Sequence, residues 1–130
     1  MKTETLKQKV LFKAAPEEVY DMLMDEKKHA KFTGDTAKIS AKVGGTFKVW
    51  GDYITGKNLE LKPGKKIVQE WHAADWEAEH ISKATFIFKR IKTGTEMSFT
   101  HEGIPEELFG DTKQGWEDYY WAPMKAMLKK

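Results

Sequence analysis

Apolar and polar residues alternate with a period of two along the first part of the chain. Leu6, Val10 and Phe12 share one parity, and lysines occupy much of the other. Successive side chains of a strand point to opposite faces of a sheet, so this period is typical of a half-buried strand. We therefore predict a first strand over residues 4–13.

Two short helices are predicted after this strand. Pro16 suits the first turn of a helix, and Glu17 and Glu18 suit its positive N-terminal end. Apolar residues then recur at helical spacing. The next stretch, residues 25–34, is mostly polar and ends at Gly34, which is typical of a second short helix with a glycine stop.

Turn residues divide the middle of the chain into antiparallel strands. The predicted strands are residues 36–40, 46–50, 53–61, 65–72, 81–91 and 95–102. Gly56, in the middle of the third of these, predicts a bulge, a tight curve or a close backbone approach. The final hairpin sets apolar residues side by side on one face: Ala84, Phe86 and Phe88 beside Met97 and Phe99.

The last part of the chain, Phe109 to Lys130, predicts an unusually apolar helix. Asp111 and Gln114 have the spacing of an N-cap and capping box, so we place its start near Asp111. At about 100° per residue, one broad apolar arc collects several side chains. These are Trp116, Tyr119, Tyr120, Pro123, Met124 and Met127.

Two residues inside this helix predict departures from a regular course. Pro123 lacks an N–H and clashes with the preceding turn, so we expect a bend between Tyr119 and Pro123, over or away from a cavity mouth. Gly115 lies inside the helix at a cost of about 1 kcal/mol relative to Ala, and we expect it to let the backbone pass close to the sheet.

The order of strand, two short helices, about six further strands and a long helix indicates an α+β domain. A curved antiparallel sheet wrapped around the terminal helix covers so wide an apolar arc better than a sandwich does. The chain has 130 residues, so we predict one domain over residues 1–130.

Composition narrows the classes of function. Hydrophobic residues make up 40% and charged residues 32%, which fits a globular protein, and a net charge of +2 gives no argument for a nucleic-acid partner. The chain has no cysteine, which excludes disulfides and thiolate chemistry. No signal peptide or run of about eighteen apolar residues is visible, so we expect a cytoplasmic protein without membrane insertion.

Candidate chemistry is sparse. None of the four histidines, His29, His72, His80 and His101, has zinc-site spacing to another His or a carboxylate, so we predict neither a metal nor a cofactor. His101 shares parity with Met97 and Phe99 and points toward a cavity, unless it is a partly exposed histidine at a strand end. No acid–base pair is evident, so we predict no catalytic residue.

The remaining candidate site is a cavity between the strands and the terminal helix, unless side chains fill that space completely. Inward positions of the strands and of the helix would line it, with Gln69, His101 and Tyr hydroxyls as polar anchors. The predicted lining is Phe47, Val49, Leu59, Ile67, Gln69, Trp71, Phe86, Phe88, Met97, Phe99, His101, Trp116, Tyr119, Tyr120 and Met124.

An ordered set of short motifs resembles a known family along nearly the whole chain. The motifs are Ala14-Ala15-Pro16-Glu17-Glu18-Val19-Tyr20, Gly44-Gly45-Thr46-Phe47, Tyr53-Ile54-Thr55-Gly56-Lys57-Asn58-Leu59-Glu60-Leu61, Pro63-Gly64-Lys65-Lys66-Ile67-Val68-Gln69-Glu70-Trp71, Asp75-Trp76, His101-Glu102-Gly103-Ile104-Pro105, Gly115-Trp116 and Tyr120-Trp121. The chain resembles the C-terminal-type domain of the activator of Hsp90 ATPase, in the START/Bet v 1-like (SRPBCC) superfamily. This resemblance implies the helix-grip fold, which agrees with the pattern of elements.

The superfamily places several functions on this scaffold, so three hypotheses follow. The first is binding of a small apolar or amphipathic ligand between sheet and helix. The second is regulation of an Hsp90-type chaperone by protein contact, with Trp50, Trp76 and Trp121 as candidate contacts. The third is a cyclase or hydrolase that uses His101 or a Tyr. We expect a monomer or weak dimer.

The resemblance also bears on the chaperone contact. The co-chaperone that names the family has a separate N-terminal domain that makes a major contact with Hsp90. This chain begins directly at the first strand of the helix-grip domain, so we expect that contact to be missing.

Overall fold

Seven strands form the framework of the computed structural model, which describes residues 2–51 and 53–128. The strands are β1 (Thr3–Phe12), β2 (Ala37–Ile39), β3 (Thr46–Val49), β4 (Ile54–Lys62), β5 (Lys66–Ala73), β6 (Ser82–Ile91) and β7 (Gly94–Pro105). They form one curved antiparallel sheet in the order β1-β7-β6-β5-β4-β3-β2. The predicted helix-grip fold is confirmed.

Two short helices connect β1 to β2, as predicted. Helix α1 covers Pro16–Met24, with the proline in its first turn, and α2 covers Glu26–Thr33. The Asp25 carboxylate caps α2, because its Oδ1 accepts hydrogen bonds from the N–H groups of the second and third helical residues. Gly34 ends α2 in the left-handed conformation, with φ 73°.

The β6–β7 hairpin has the register that the alternation predicts. Phe86 pairs with Phe99, and Phe88 pairs with Met97, all four on the inward face. These side chains join α1, α2 and the terminal helix in a single hydrophobic core. The concave face of the sheet is therefore packed against helices rather than left open.

The prediction that Leu59 lines the interior is wrong, and strand β4 contains a bulge at the same residue. The pairing with β5 shifts register between Asn58 and Glu60, so Leu59 is the extra residue. The Leu59 side chain is 40% exposed and does not line the interior, whereas Asn58 is fully buried. Ile54 and Asn58 are both buried and define the inward parity of β4 before the bulge, and Leu59 has the opposite parity. The sequence of this strand places apolar residues on both parities, so its alternation does not identify the inward face.

Gly56 serves the close approach that was one of its predicted roles. A Cβ atom at this position would overlap the carbonyl oxygen of Glu70 on β5 and the ring of Phe47 on β3. The glycine therefore lets three neighbouring strands pack without an intervening side chain.

The terminal helix begins earlier than predicted. A 3₁₀ turn at Glu106–Leu108 leads into α3 (Phe109–Trp116), so Asp111 lies within the first turn of α3 and is not its N-cap. The predicted capping box is also wrong, because the Gln114 side chain donates to Asp118 Oδ1 at 2.9 Å. The chain is already helical when it reaches Asp111, and Pro105 marks the boundary instead.

A π-helical turn, Glu117–Trp121, separates α3 from α4 (Ala122–Leu128). The N–H of Ala122 donates to the carbonyl of Glu117, five residues earlier. The irregularity thus falls where the sequence predicts a bend. It lies directly before Pro123, whose missing N–H removes one intrahelical hydrogen bond.

The π turn changes which aromatic residues face the core. Residues five apart become neighbours in such a turn, and Trp116 and Trp121 stack with ring centroids 5.3 Å apart and an interplanar angle of 17°. Trp121 is therefore buried, and its indole N–H donates to Gln8 Oε1 on β1 at 2.8 Å. Tyr119, which a regular helix would turn inward, is 57% exposed.

Candidate functional site

An open groove of about 490 Å³ lies between the terminal helix and the adjoining ends of β4 and β5. The turn after β3 and the loop after β5 complete its walls. Its lining residues are Trp50, Tyr53, Ile54, Trp71, Ala73, Asp75, Trp76, Leu108, Asp111, Thr112, Gly115, Trp116, Tyr119 and Tyr120.

Half of the lining residues in the described part of the chain are aromatic, and their ring contacts form two sets. Trp71 is central to the first set, with its ring centroid 5.4 Å from those of both Trp76 and Trp116. The second set is at the rim, where Trp50 meets the ring of Tyr119 edge-on at 5.4 Å. Trp50 has φ 58°, a left-handed conformation that is rare for a bulky residue.

Polar groups gather at one end of the groove. The Tyr53 hydroxyl donates a hydrogen bond to Asp75 Oδ1 at 2.9 Å. Burial raises the pKa of Tyr53, as do this hydrogen bond and the negative charges of Asp75 and Asp111. The two carboxylates therefore act on the same small region of the groove.

A second cavity, deeper in the molecule, has a volume of only about 20 Å³. That is enough for about one water molecule and for no organic ligand. Its wall shares Trp71, Trp116 and Tyr120 with the groove. The interior that the sequence left open as cavity or core is almost completely filled by side chains.

The predicted lining residues separate into four groups. Trp71, Trp116, Tyr119 and Tyr120 line the groove, and the small cavity adds Phe47, Val49, Gln69 and Phe86. Leu59 is exposed. Six are packed in the core and line neither cavity within the described part of the chain: Ile67, Phe88, Met97, Phe99, His101 and Met124.

Sequence reasoning missed the residues that open the groove to solvent. They lie on a turn, a loop, strand ends and the start of the helix: Trp50, Tyr53, Ile54, Ala73, Asp75, Trp76, Leu108, Asp111, Thr112 and Gly115. Alternation within strands gives no information about such positions. The available signal was the clustering of aromatic residues beside turns, at Trp50, Tyr53 and Trp76.

His101 is fully buried, so the expectation of a partly exposed strand-end histidine is wrong. The Trp116 indole, which can only donate, gives its N–H to His101 Nδ1 at 3.1 Å. His101 Nε2 lies 2.7 Å from Ser82 Oγ, whose hydroxyl donates to the Trp71 carbonyl at 2.8 Å. Nε2 therefore carries the proton and donates to Ser82.

The environment keeps this imidazole neutral. Burial lowers the pKa of His101 from 6.5 to about 3, and both ring nitrogens already have protein partners. His101 joins β6 and β7 to the terminal helix, and it lies outside the groove lining. A general acid or base needs access to a substrate proton, which this position does not provide.

A second buried histidine pairs with the same helix. His29 Nδ1 donates to the Leu23 carbonyl at 3.2 Å, so Nε2 accepts from the Tyr120 hydroxyl at 3.0 Å. Burial lowers the pKa of His29 to about 4, opposed by its bond to the Leu23 carbonyl, and raises the pKa of Tyr120. The Tyr120 ring therefore lines the groove, while its hydroxyl is hydrogen-bonded to His29 on α2.

The other predicted polar anchor is also engaged within the protein. Gln69 donates to Asn58 Oδ1 at 3.2 Å, and the Asn58 amide donates to the carbonyls of Ser40 and Lys42. Across residues 2–51 and 53–128, no group of three or more His, Cys, Asp or Glu side chains is arranged to hold a metal ion.

Two of the three predicted chaperone-contact tryptophans are buried. Trp76 packs against Trp71 and His80, and Trp121 lies beneath Trp116. Trp50 alone of the three is partly exposed, at the groove rim.

Comparison with known proteins identifies the family of this chain. The family model of Activator of Hsp90 ATPase homolog 1-like protein matches residues 13–129. The chain belongs to this family. A relative from Dictyostelium discoideum, named activator of 90 kDa heat shock protein ATPase homolog, is 34% identical over 116 residues. That alignment covers 88% of this chain and 30% of the relative.

Solved structures share the fold of this family member. An HSP90 activator from Plasmodium falciparum has a TM-score of 0.87 at 24% identity, with 97% of this chain and 95% of that chain covered. The Aha1 dimer from Colwellia psychrerythraea has a TM-score of 0.80 at 19% identity, with 97% and 96% covered. At these identities the likeness establishes the fold alone.

Two further facts describe this family member. The chain spans about a third of the length of the curated relatives it matches. Among the helices of residues 2–51 and 53–128, none combines the length and apolar character that crossing a membrane requires.

Proposed function

We propose that this family member binds a small apolar or amphipathic ligand in the groove beside the terminal helix. The observation that carries the proposal is the open, aromatic-walled volume of about 490 Å³, beside a deeper cavity of only about 20 Å³. Ligand sites are typically concave, of about 300–1,000 Å³, and lined by apolar and aromatic side chains with a few polar groups. The groove has these properties.

Gly115 supports the proposal independently. It lies inside α3 and lines the groove, and a Cβ atom there would meet only the Tyr119 ring, at an ordinary 3.8 Å. The expected close approach to the sheet is thus absent, and packing does not explain a glycine that costs a helix about 1 kcal/mol. A glycine at this position keeps the groove wider than any other residue would.

Tryptophan fluorescence offers a direct test, because four of the five tryptophans line the groove. We expect saturable quenching by 1-anilinonaphthalene-8-sulfonate or by a C8 to C12 aliphatic compound. Gly115→Leu should weaken that binding by about tenfold, because the new side chain occupies the volume used by the ligand.

Gly110→Leu is the matched control for this variant. Gly110 lies in the same helix, and a Cβ atom there meets nothing within 4 Å. Gly110 is absent from the groove lining, so its substitution should leave the affinity unchanged. A wild-type protein that shows no saturable response to any of these compounds would refute ligand binding.

We propose regulation of an Hsp90-type chaperone as a second function, which the names of the relatives favour. The partly exposed Trp50 and the exposed Tyr119 offer an aromatic contact at the groove rim, and aromatic residues are enriched in binding hot spots. The test is the ATPase rate of an Hsp90-type chaperone with and without this protein. An unchanged rate at saturating concentration would contradict this function.

The oligomeric state belongs to the same proposal. We propose a monomer or weak dimer, and the structurally similar Colwellia protein is a dimer. Sedimentation velocity over a hundredfold range of concentration distinguishes the two states, and a stable higher oligomer would contradict both.

A further inference from the structure

The groove has an acidic end and an aromatic body. Asp75 and Asp111 come from different elements, the loop after β5 and the first turn of α3, yet both line the groove and both act on Tyr53. The remaining lining residues are uncharged. They are apolar or aromatic, except for Thr112, which is polar. Within residues 2–51 and 53–128, those that line the groove include no lysine or arginine.

Positive side chains elsewhere do not neutralise these carboxylates. Among residues 2–51 and 53–128, the ion pairs join Glu60 to Lys62 and Lys66, and Glu17 to Arg90. Asp75 receives a hydrogen bond from the neutral Tyr53 hydroxyl, and Asp111 lies near the partial positive charge of a helix N-terminus. Neither partner supplies a full opposite charge.

We propose that the ligand is an amphipathic organic cation, an inference that rests on the ligand-binding function proposed above. Its ammonium group lies at the acidic end, between Asp75 and Asp111 and against the ring of Tyr53. Its apolar chain lies along the tryptophan wall formed by Trp71 and Trp116.

Two physical effects favour a cation over other amphiphiles. The faces of aromatic rings carry negative partial charge, and they attract ammonium groups within about 6 Å, which is the basis of aromatic cages for quaternary amines. The carboxylates attract the same head group and repel an anionic one. A fatty acid would therefore place its carboxylate against two like charges, whereas a quaternary ammonium finds complementary charge and needs no hydrogen-bond acceptor.

The test compares three probes that share one C8 chain and differ only in the head group. They are n-octyltrimethylammonium, 1-octanol and octanoate, each titrated below its micellar concentration while tryptophan fluorescence or heat is recorded. We expect the cation to bind about tenfold more tightly than the alcohol, and the alcohol more tightly than octanoate. The advantage of the cation should shrink as salt is raised, because the carboxylates are exposed to solvent.

A charge-matched pair of variants locates the effect. Asp75→Asn with Asp111→Asn should reduce the affinity for the cation to that for the alcohol. Glu77→Gln with Glu117→Gln removes the same two charges from the same loop and helix, at exposed positions outside the groove lining, and should change nothing.

The outcomes separate this inference from the proposed function. Equal affinity for all three probes, or tighter binding of octanoate, overturns the cation proposal and leaves ligand binding intact. An equal loss in both double variants also overturns it, because long-range charge would then explain the preference. No saturable binding of any probe overturns both proposals, and the comparison of probes on the wild-type protein needs no variant to fold.

Discussion

The deep cavity and the outer groove share a wall, yet one is closed and the other is open. Trp71, Trp116 and Tyr120 contribute to both, and in the described part of the chain aromatic residues make up half of each lining. The difference lies in what surrounds them. Inward-facing side chains of strands and α1–α2 fill the deep side, where the polar atoms are paired. On the outer side, the turn after β3 and the loop after β5 contact the helix through aromatic rings and leave an open volume beside it.

This difference teaches that the terminal helix has two separate roles. Its inner face, with Trp116 and Trp121, completes the core and its hydrogen-bond network. Its flank, with Gly115 and Tyr119, borders the groove. Changes on the inner face should therefore alter stability, and changes on the flank should alter binding.

Trp116→Ala should give the largest effect on stability, because it removes a large side chain that packs in the core as well as lining the groove. We expect a loss of about 3–5 kcal/mol in the free energy of unfolding from the lost packing. His101 Nδ1 also loses its donor, which adds to the cost. Trp116→Phe keeps most of the ring contacts and should cost less. Urea denaturation measures both variants, and a loss below about 1 kcal/mol for the alanine variant would contradict the packing described here.

Acidic pH should weaken the core side next most strongly. The folded-state pKa values of His29 and His101, about 4 and 3, lie below their ordinary value of 6.5. The unfolded state therefore binds protons first, so full stability is present above about pH 6.5 and is lost as the pH falls toward the folded values. Each histidine contributes at most about 1.4 kcal/mol per pH unit, or about 2–3 kcal/mol together between pH 6.5 and 5.

Urea midpoints measured across this range test the slope. His101→Gln removes one of the two buried titrating groups and should reduce the slope by about half. A stability that stays constant from pH 6.5 to 5 would mean that at least one imidazole is accessible to protons in the folded state.

Tyr120→Phe should have a smaller effect, and it should lower stability while leaving ligand affinity nearly unchanged. It removes the hydroxyl that donates to His29 Nε2 and keeps the ring that lines the groove. We expect a loss of about 1–2 kcal/mol, because a buried acceptor is left without its donor. Ligand affinity should stay within about twofold of the wild type. A large loss of affinity with unchanged stability would place the Tyr120 hydroxyl in the binding site instead.

The fold follows from the sequence more closely than the groove does. Alternation fixes which side of β6 and β7 faces the core, so Phe86, Phe99 and their neighbours were placed correctly. The extra residue at Leu59 and the π turn before Ala122 each shift the phase of the pattern by local hydrogen bonding. That shift has no periodic signature, and so Trp121 was misplaced. Leu59 was misplaced because apolar residues occur on both parities of β4, and the buried Ile54 and Asn58 have the other parity.

The groove itself depends on distances between elements that are far apart in sequence. Asp75 and Asp111 converge only because the loop after β5 and the start of the terminal helix meet at one end of the sheet. Four aromatic wall residues were predicted from the helix arc and the β5 alternation. The open volume also depends on Trp50 and Trp76. Both lie beside turns, where no periodic pattern in the sequence indicates which way a side chain faces.

Substituting alanine at the two helical glycines should give the smallest effect and the sharpest comparison. Gly110 and Gly115 both lie in α3 without positive φ, and neither faces a backbone atom that a methyl group would strike. Each Gly→Ala change should raise the free energy of unfolding by about 0.5–1 kcal/mol, because alanine loses less backbone entropy in a helix. Only the Gly115 variant places its methyl group in the groove, so only that variant should also weaken ligand binding. Thermal unfolding and a fluorescence titration on the same samples measure the two effects together. If Gly115→Ala were stabilising and left affinity unchanged, the glycine would not serve the groove, and the assignment of the helix flank to binding would fail while its role in the core stood.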